Sequence, residues 1–180
     1  MPGDTKKCRA PDVYVVDGVP QATEPVGTWK VWEGHFPSLA IEVCGSEWEK
    51  DYDEAPADYD TMGCQELIVF DPGATKASRL RVRWQVFRRN PAGRLVRVQK
   101  SKGDRVRSRW LGCYLREIGE GVILSLRLAT GDLGESIFPT SAEAARAEAE
   151  AARAEAEAAH VEVARLKALL ASKGVGPRRR

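Results

Sequence analysis

Histidine is nearly missing from this chain: His35 and His160 are the only two in 180 residues. Its four cysteines, Cys8, Cys44, Cys64 and Cys113, stand far apart and form no CxxC pair. A structural zinc ion needs clustered Cys and His, so zinc is not expected and free thiols are. Long apolar runs are also lacking. The longest stretches, such as Leu67 to Phe70 and Val122 to Leu124, fall far short of the ~20 residues that span a membrane. Met1-Pro-Gly-Asp-Thr-Lys-Lys has no apolar core to serve as a signal peptide. The expectation is a soluble cytoplasmic protein with no membrane contact. Acids are almost absent from residues 76–116, where Asp104 faces 14 Lys and Arg.

That last absence shows a segregation which the net charge of +2 conceals. Residues 1–75 carry 15 Asp and Glu against 5 Lys and Arg, a balance of −10, whereas residues 76–116 stand at +13. An acidic half followed by a basic half implies either an anionic partner for the basic part or mutual neutralisation. With 43% hydrophobic residues, the length suits one ordinary domain with some chain to spare.

Asp12-Val-Tyr-Val-Val reads as a short strand, Leu39-Ala-Ile-Glu-Val as a clearer one, and Glu66 to Phe70 as a third, stopped by Asp71-Pro-Gly. Their unbroken apolar runs suggest burial on both sheet faces. Trp29 to Glu33 could be another extended piece. A helix is expected from Pro56, where a missing N–H costs nothing, to about Met62, closed by Gly63. Leu80 to Val86 alternates as a half-exposed strand with Arg79, Arg81 and Arg83 on one face. Asn90-Pro-Ala-Gly reads as a hairpin turn into Arg94 to Val98, a looser basic stretch follows, and strands are expected near 113–116 and 122–128. Trp84 and Trp110 are expected to pack in the core.

From Ala142 the chain runs AEAARAE, AEAARAE, AEAAHVE, VARLKAL. Ala142, Ala145, Ala149, Ala152, Ala156, Ala159, Val163, Leu166 and Leu170 keep strict 3,4 spacing, the signature of a helix able to form a coiled coil. Thr140-Ser-Ala-Glu143 offers a capping box, and Gly174 a stop. An alanine seam buries little area. Self-association would therefore rest on Val163, Leu166 and Leu170, and the alternative is a solitary helix held by Glu–Arg pairs such as Glu143 with Arg146 and Glu150 with Arg153.

One pair of acids suggests chemistry. Asp12 opens a strand after Pro11, and Glu42 lies inside Ala40-Ile-Glu-Val. Two carboxylates on neighbouring strands can hold a magnesium ion, which activates water and offsets charge on a phosphate. A hydrogen-bonded structural role for either acid is the competing reading. Arg79, Arg81 and Arg83 likewise have two readings, tracking a phosphate backbone or neutralising the acidic half.

Pro11-Asp-Val-Tyr-Val-Val, Pro37-Ser-Leu-Ala-Ile-Glu-Val, Asp51-Tyr, Tyr59, Gly63 and Glu66-Leu-Ile-Val-Phe-Asp-Pro, in this order, resemble a family of small bacterial restriction endonucleases of the PD-(D/E)XK superfamily. The resemblance spans residues 11 to about 172. It implies an α/β fold, with a mixed central sheet flanked by helices, over residues 1–138. A coiled-coil helix at 139–173 and a basic tail at 174–180 follow. It further implies a DNA endonuclease with a magnesium ion held by Asp12, Glu42 and the backbone carbonyl of Val43. A lysine should position the attacking water, but the standard position holds Cys44, and the family's helical alternative falls on Ala55 or Ala57. Lys50 is the nearest candidate, outside the helix expected here. Ten residues precede Pro11, so the chain reads as N-terminally shortened, without the upstream glutamate that often assists such a site. The expected function is a magnesium-dependent DNA endonuclease impaired in this copy. Its alternative is a non-catalytic nucleic-acid-binding or oligomerising protein that keeps the scaffold.

Overall fold

The computed structural model describes residues 9–19, 35–121 and 124–172. Five strands form one sheet in the order β1 (Val13–Val15), β2 (Leu39–Val43), β3 (Glu66–Phe70), β4 (Trp84–Arg89) and β5 (Leu95–Ser101). The sheet is mixed: β2 and β3 run parallel and the other pairs antiparallel. The parallel step requires a crossover, which α1 (Trp48–Thr61) supplies. Both faces of β2 and β3 are covered, which is why their sequences are continuous apolar runs.

On one face, Ala55 and Tyr59 of α1 pack with Ala40, Leu67, Val69 and Phe87. On the other, Leu39, Ile41, Ile68, Phe70, Trp84 and Val86 meet Val106 and Leu115. Those last two belong to a second, antiparallel sheet of β6 (Arg105–Arg107), β7 (Tyr114–Ile118), β8 (Ser125–Thr130) and β9 (Ser136–Ile137). The fold is therefore α/β with a mixed central sheet, and its second covering layer is a sheet. The short β6 and β9 carry no run long enough to read from sequence.

Three expectations need correction. The helix begins at Trp48, eight residues before Pro56, and the proline lies in its interior. A proline there forfeits one helical hydrogen bond. The stripe of Trp48, Tyr52, Ala55, Tyr59 and Met62, spaced 4, 3, 4 and 3, packs on the sheet and outweighs that loss. Residues 79–83 are not a strand, because β4 starts at Trp84 and is buried between β3 and β5. Trp84 is a core residue whose indole N–H donates to the Gly103 carbonyl at 2.9 Å, but Trp110 is 42% exposed. The hairpin turn forms as read, with Gly93 at φ +76° and the Asn90 amide donating to the Arg94 carbonyl. Residues 29–33 and Gly174 lie outside the described residues.

Chain contacts divide the protein into Met1–Ile137 and Phe138–Arg180. Among its described residues the second unit contains one helix, α2 (Ser141–Ser172), with no buried side chain. Its N-terminus is a reciprocal capping box: the Thr140 amide donates to Glu143 Oε2 at 2.7 Å and the Glu143 amide to Thr140 Oγ1 at 3.2 Å. Arg146 pairs with Glu150, four residues on, at 3.1 Å. Among the described residues no helix is long and apolar enough to cross a membrane.

Candidate active site

Antiparallel pairing sets Val13 opposite Ile41, so Asp12 falls opposite Glu42, one step beyond the paired residues. The two predicted acids do come to one end of the sheet. Asp12 is exposed, and its Oδ2 accepts from the Val43 amide at 2.7 Å. Glu42 is only 6% exposed. Its Oε1 accepts from the Tyr59 hydroxyl at 2.8 Å and from Arg9 Nε at 3.2 Å.

Arg9 is the residue that sequence reading missed. Its guanidinium also meets Asp51 Oδ1 at 3.2 Å and Asp58 Oδ2 at 3.5 Å, so it bridges three carboxylates from β2 and α1. The helical signal was available: Asp51, Ala55, Asp58 and Tyr59 lie at i, i+4, i+7 and i+8, on one face. Burial raises Glu42 above the ordinary carboxylate range, and the bonds from Tyr59 and Arg9 offset that only in part. The same burial, with the Glu42 contact, pushes the Tyr59 phenol far up, so it remains a donor.

The helix register decides where a family lysine would stand. Ala55 is fully buried on the face shared with Asp51 and Tyr59, whereas Ala57 is exposed. Cys44 is also buried, and burial raises its thiol far out of the range in which it ionises. Lys50 lies in the first turn of α1, not outside the helix, and borders a cleft of about 440 Å³ with Arg9, Glu42, Glu47 and Asp51. Its side chain is 58% exposed and pairs with Glu47.

A magnesium ion calls for oxygen donors such as Asp12, Glu42 and the Val43 carbonyl. As held here they do not fit one. Glu42 Oε1 already accepts two hydrogen bonds, Asp12 is bonded to a backbone amide, and a guanidinium stands among the acids. Among the described residues no group of three or more His, Cys, Asp or Glu is arranged to hold a metal ion.

The three predicted arginines part company. Arg81 grips the buried Asp71 through two nitrogens and lies 5.1 Å over the Trp48 ring. Arg83 donates to the Asp71 and Pro72 carbonyls and pairs with Glu117 at 2.9 Å. Arg79 is exposed. Internal neutralisation accounts for Arg81 and Arg83, and equally for Arg88 on Glu66 and for Arg89 and Arg94 on Asp60. The acidic and basic halves of the sequence fold onto each other.

No curated protein and no solved structure matches the chain. One family model does, over residues 2–111, and its description is "Uma2: Putative restriction endonuclease". That span covers β1 to β5, α1 and both predicted acids, and so the chain belongs to the Uma2 family of restriction endonuclease-like proteins.

Proposed function

We propose that this chain is a DNA endonuclease scaffold whose hydrolytic site lies at Asp12 and Glu42 and is impaired in this copy. Family membership supports the nuclease class, and proteins of this class generally use a divalent metal ion. The observation that carries the impairment is Ala55. It stands between Asp51 and Tyr59 on the helix face turned to Glu42, where a lysine would deliver its ammonium group. Without that cation the site lacks a group to orient water and offset charge growing on the phosphate. Such a group is typically worth ~3 kcal/mol, or about a hundredfold in rate.

The test is nicking of supercoiled plasmid with magnesium or manganese. The unaltered chain should stay near background. Arg9→Ala with Ala55→Lys, which moves the cation onto α1 and clears space for it, should raise nicking by about a hundredfold. Adding Asp12→Ala should abolish the gain. Robust nicking by the unaltered chain, lost in Asp12→Ala, would refute the impairment and turn attention to Lys50.

The alternative, a non-catalytic scaffold that binds nucleic acid or associates with itself, is favoured by one observation, the Arg9 bridge across Glu42. Self-association would use Val163, Leu166 and Leu170, all about half exposed on α2. Helicity of the isolated segment should then rise with concentration, and Leu166→Glu should remove the rise. Helicity that does not depend on concentration would leave the helix and exclude the coiled coil.

A further inference from the structure

Arg9 directly precedes the segment that delivers Asp12, so one short stretch of chain brings both an acid and a cation to the site. The guanidinium is held from three directions, by Glu42 on β2 and by Asp51 and Asp58 on α1. Its side chain is 17% exposed, which places the charge inside the cleft and not at its rim. A planar fork with separate donors suits this role better than a compact ammonium, because each nitrogen can address a different carboxylate. One positive charge does not balance the three carboxylates it touches, and Asp12 adds a fourth nearby. The site is therefore an anionic cluster already holding a cation, and the cation belongs to the chain.

We propose that the Arg9 guanidinium is the resident cation of this site, occupying the Glu42–Asp51–Asp58 cluster in place of a divalent ion, and that a divalent ion must displace it to bind. The proposal rests on the reading of Glu42 as part of the family's hydrolytic site. It makes Arg9 an internal competitor of the metal, a role opposite to that of a surrogate lysine. With Arg9 in place Glu42, Asp51 and Asp58 are not arranged to hold a metal ion; without the guanidinium that each of them meets, they can turn toward one another the hard oxygens that manganese and magnesium take.

The experiment is manganese binding, followed by paramagnetic resonance and calorimetry, on the full chain and on Arg9→Ala. The full chain should bind weakly. The variant should bind about tenfold more tightly or better, since a close buried charge pair commonly couples by at least that factor. Adding Glu42→Gln should erase the gain. In thermal melts Arg9→Ala should lose stability without metal and recover it with manganese, while the unaltered chain should respond little. A natively folded Arg9→Ala with no gain in affinity would overturn the proposal, as would a gain that survives Glu42→Gln. If Arg9→Ala does not fold without metal, Arg9→Lys replaces it. That variant keeps the charge but not the three-way fork, so it should show a smaller gain, and affinity no better than that of the unaltered chain would overturn the proposal. Plasmid nicking is scored separately. Tighter manganese binding with no nicking in any variant would keep the resident cation and remove the nuclease reading, and nicking without a gain in binding would do the reverse.

Discussion

Glu42 and Glu66 are both buried glutamates on adjacent strands, 6% and 2% exposed. Each meets one arginine and one hydroxyl: Arg9 and Tyr59 for Glu42, Arg88 and Ser108 for Glu66. Only Glu66 also receives backbone amides, from Arg109 at 3.0 Å and Trp110 at 3.1 Å. Burial acts to raise both acids. Four donors overcome it at Glu66, which ends below the ordinary carboxylate range, and two fail to at Glu42, which ends above. A fully satisfied acid is part of the scaffold. An acid left short of hydrogen-bond donors is a candidate for a place where something else binds or reacts.

The sharpest way to break this contrast is a matched pair of amide substitutions. Glu66→Gln turns an NH₂ group toward donors that are already fixed and should cost about 2–3 kcal/mol. Glu42→Gln should stay within about 1 kcal/mol of the unaltered chain, because it removes a buried charge that is poorly compensated. Chemical denaturation measures both, and equal losses would refute the distinction.

The two acids should also respond to pH in opposite directions. Glu66 and Asp71 have lowered folded values, with burial outweighed by their arginine and hydroxyl donors. Their contribution is complete above the ordinary carboxylate value and is lost as pH falls through the lowered one. Glu66→Gln should therefore flatten the acid limb of a stability–pH curve. Glu42 has a raised folded value, so the folded state binds the extra proton more tightly. Stability should decline as pH rises from the ordinary carboxylate value through the raised one, and Glu42→Gln should remove that decline.

The smallest effect concerns DNA. If the acids of the first half hold arginines as Glu66 holds Arg88, few remain for phosphates. Arg79→Gln should flatten the salt dependence of duplex binding by about one unit, the share of one phosphate. Arg81→Gln should instead lower thermal stability, through Asp71. A change in salt slope of equal size from Arg81→Gln would return it to the DNA-facing set.

What the sequence revealed follows the physics of each element. β2, β3 and the β4–β5 turn were legible because apolar runs and Asn-Pro-Ala-Gly act locally. The capping box of α2 was legible for the same reason, with Thr140 and Glu143 satisfying each other three residues apart. The start of α1 was not, because Pro56 is a local signal for a helix start, whereas the force of the Trp48–Tyr52–Ala55–Tyr59 stripe comes from the sheet it covers. In the candidate site, Asp12 and Glu42 were legible as a motif. Arg9 was not, because its three partners lie 33, 42 and 49 residues away and no local pattern joins them.

The outermost strand of the larger sheet shapes how copies of the chain treat one another. Among the described residues β5 pairs only with β4, and its Val96 and Val98 are open to solvent. A bare strand of seven residues with two exposed valines would be a template for another molecule to extend the sheet. Two features work against that. The register slips between Val86 and Phe87, bending the ladder, and Arg97 and Lys100 give any approaching copy like charge to meet. Both features oppose the pairing of a second copy along this edge.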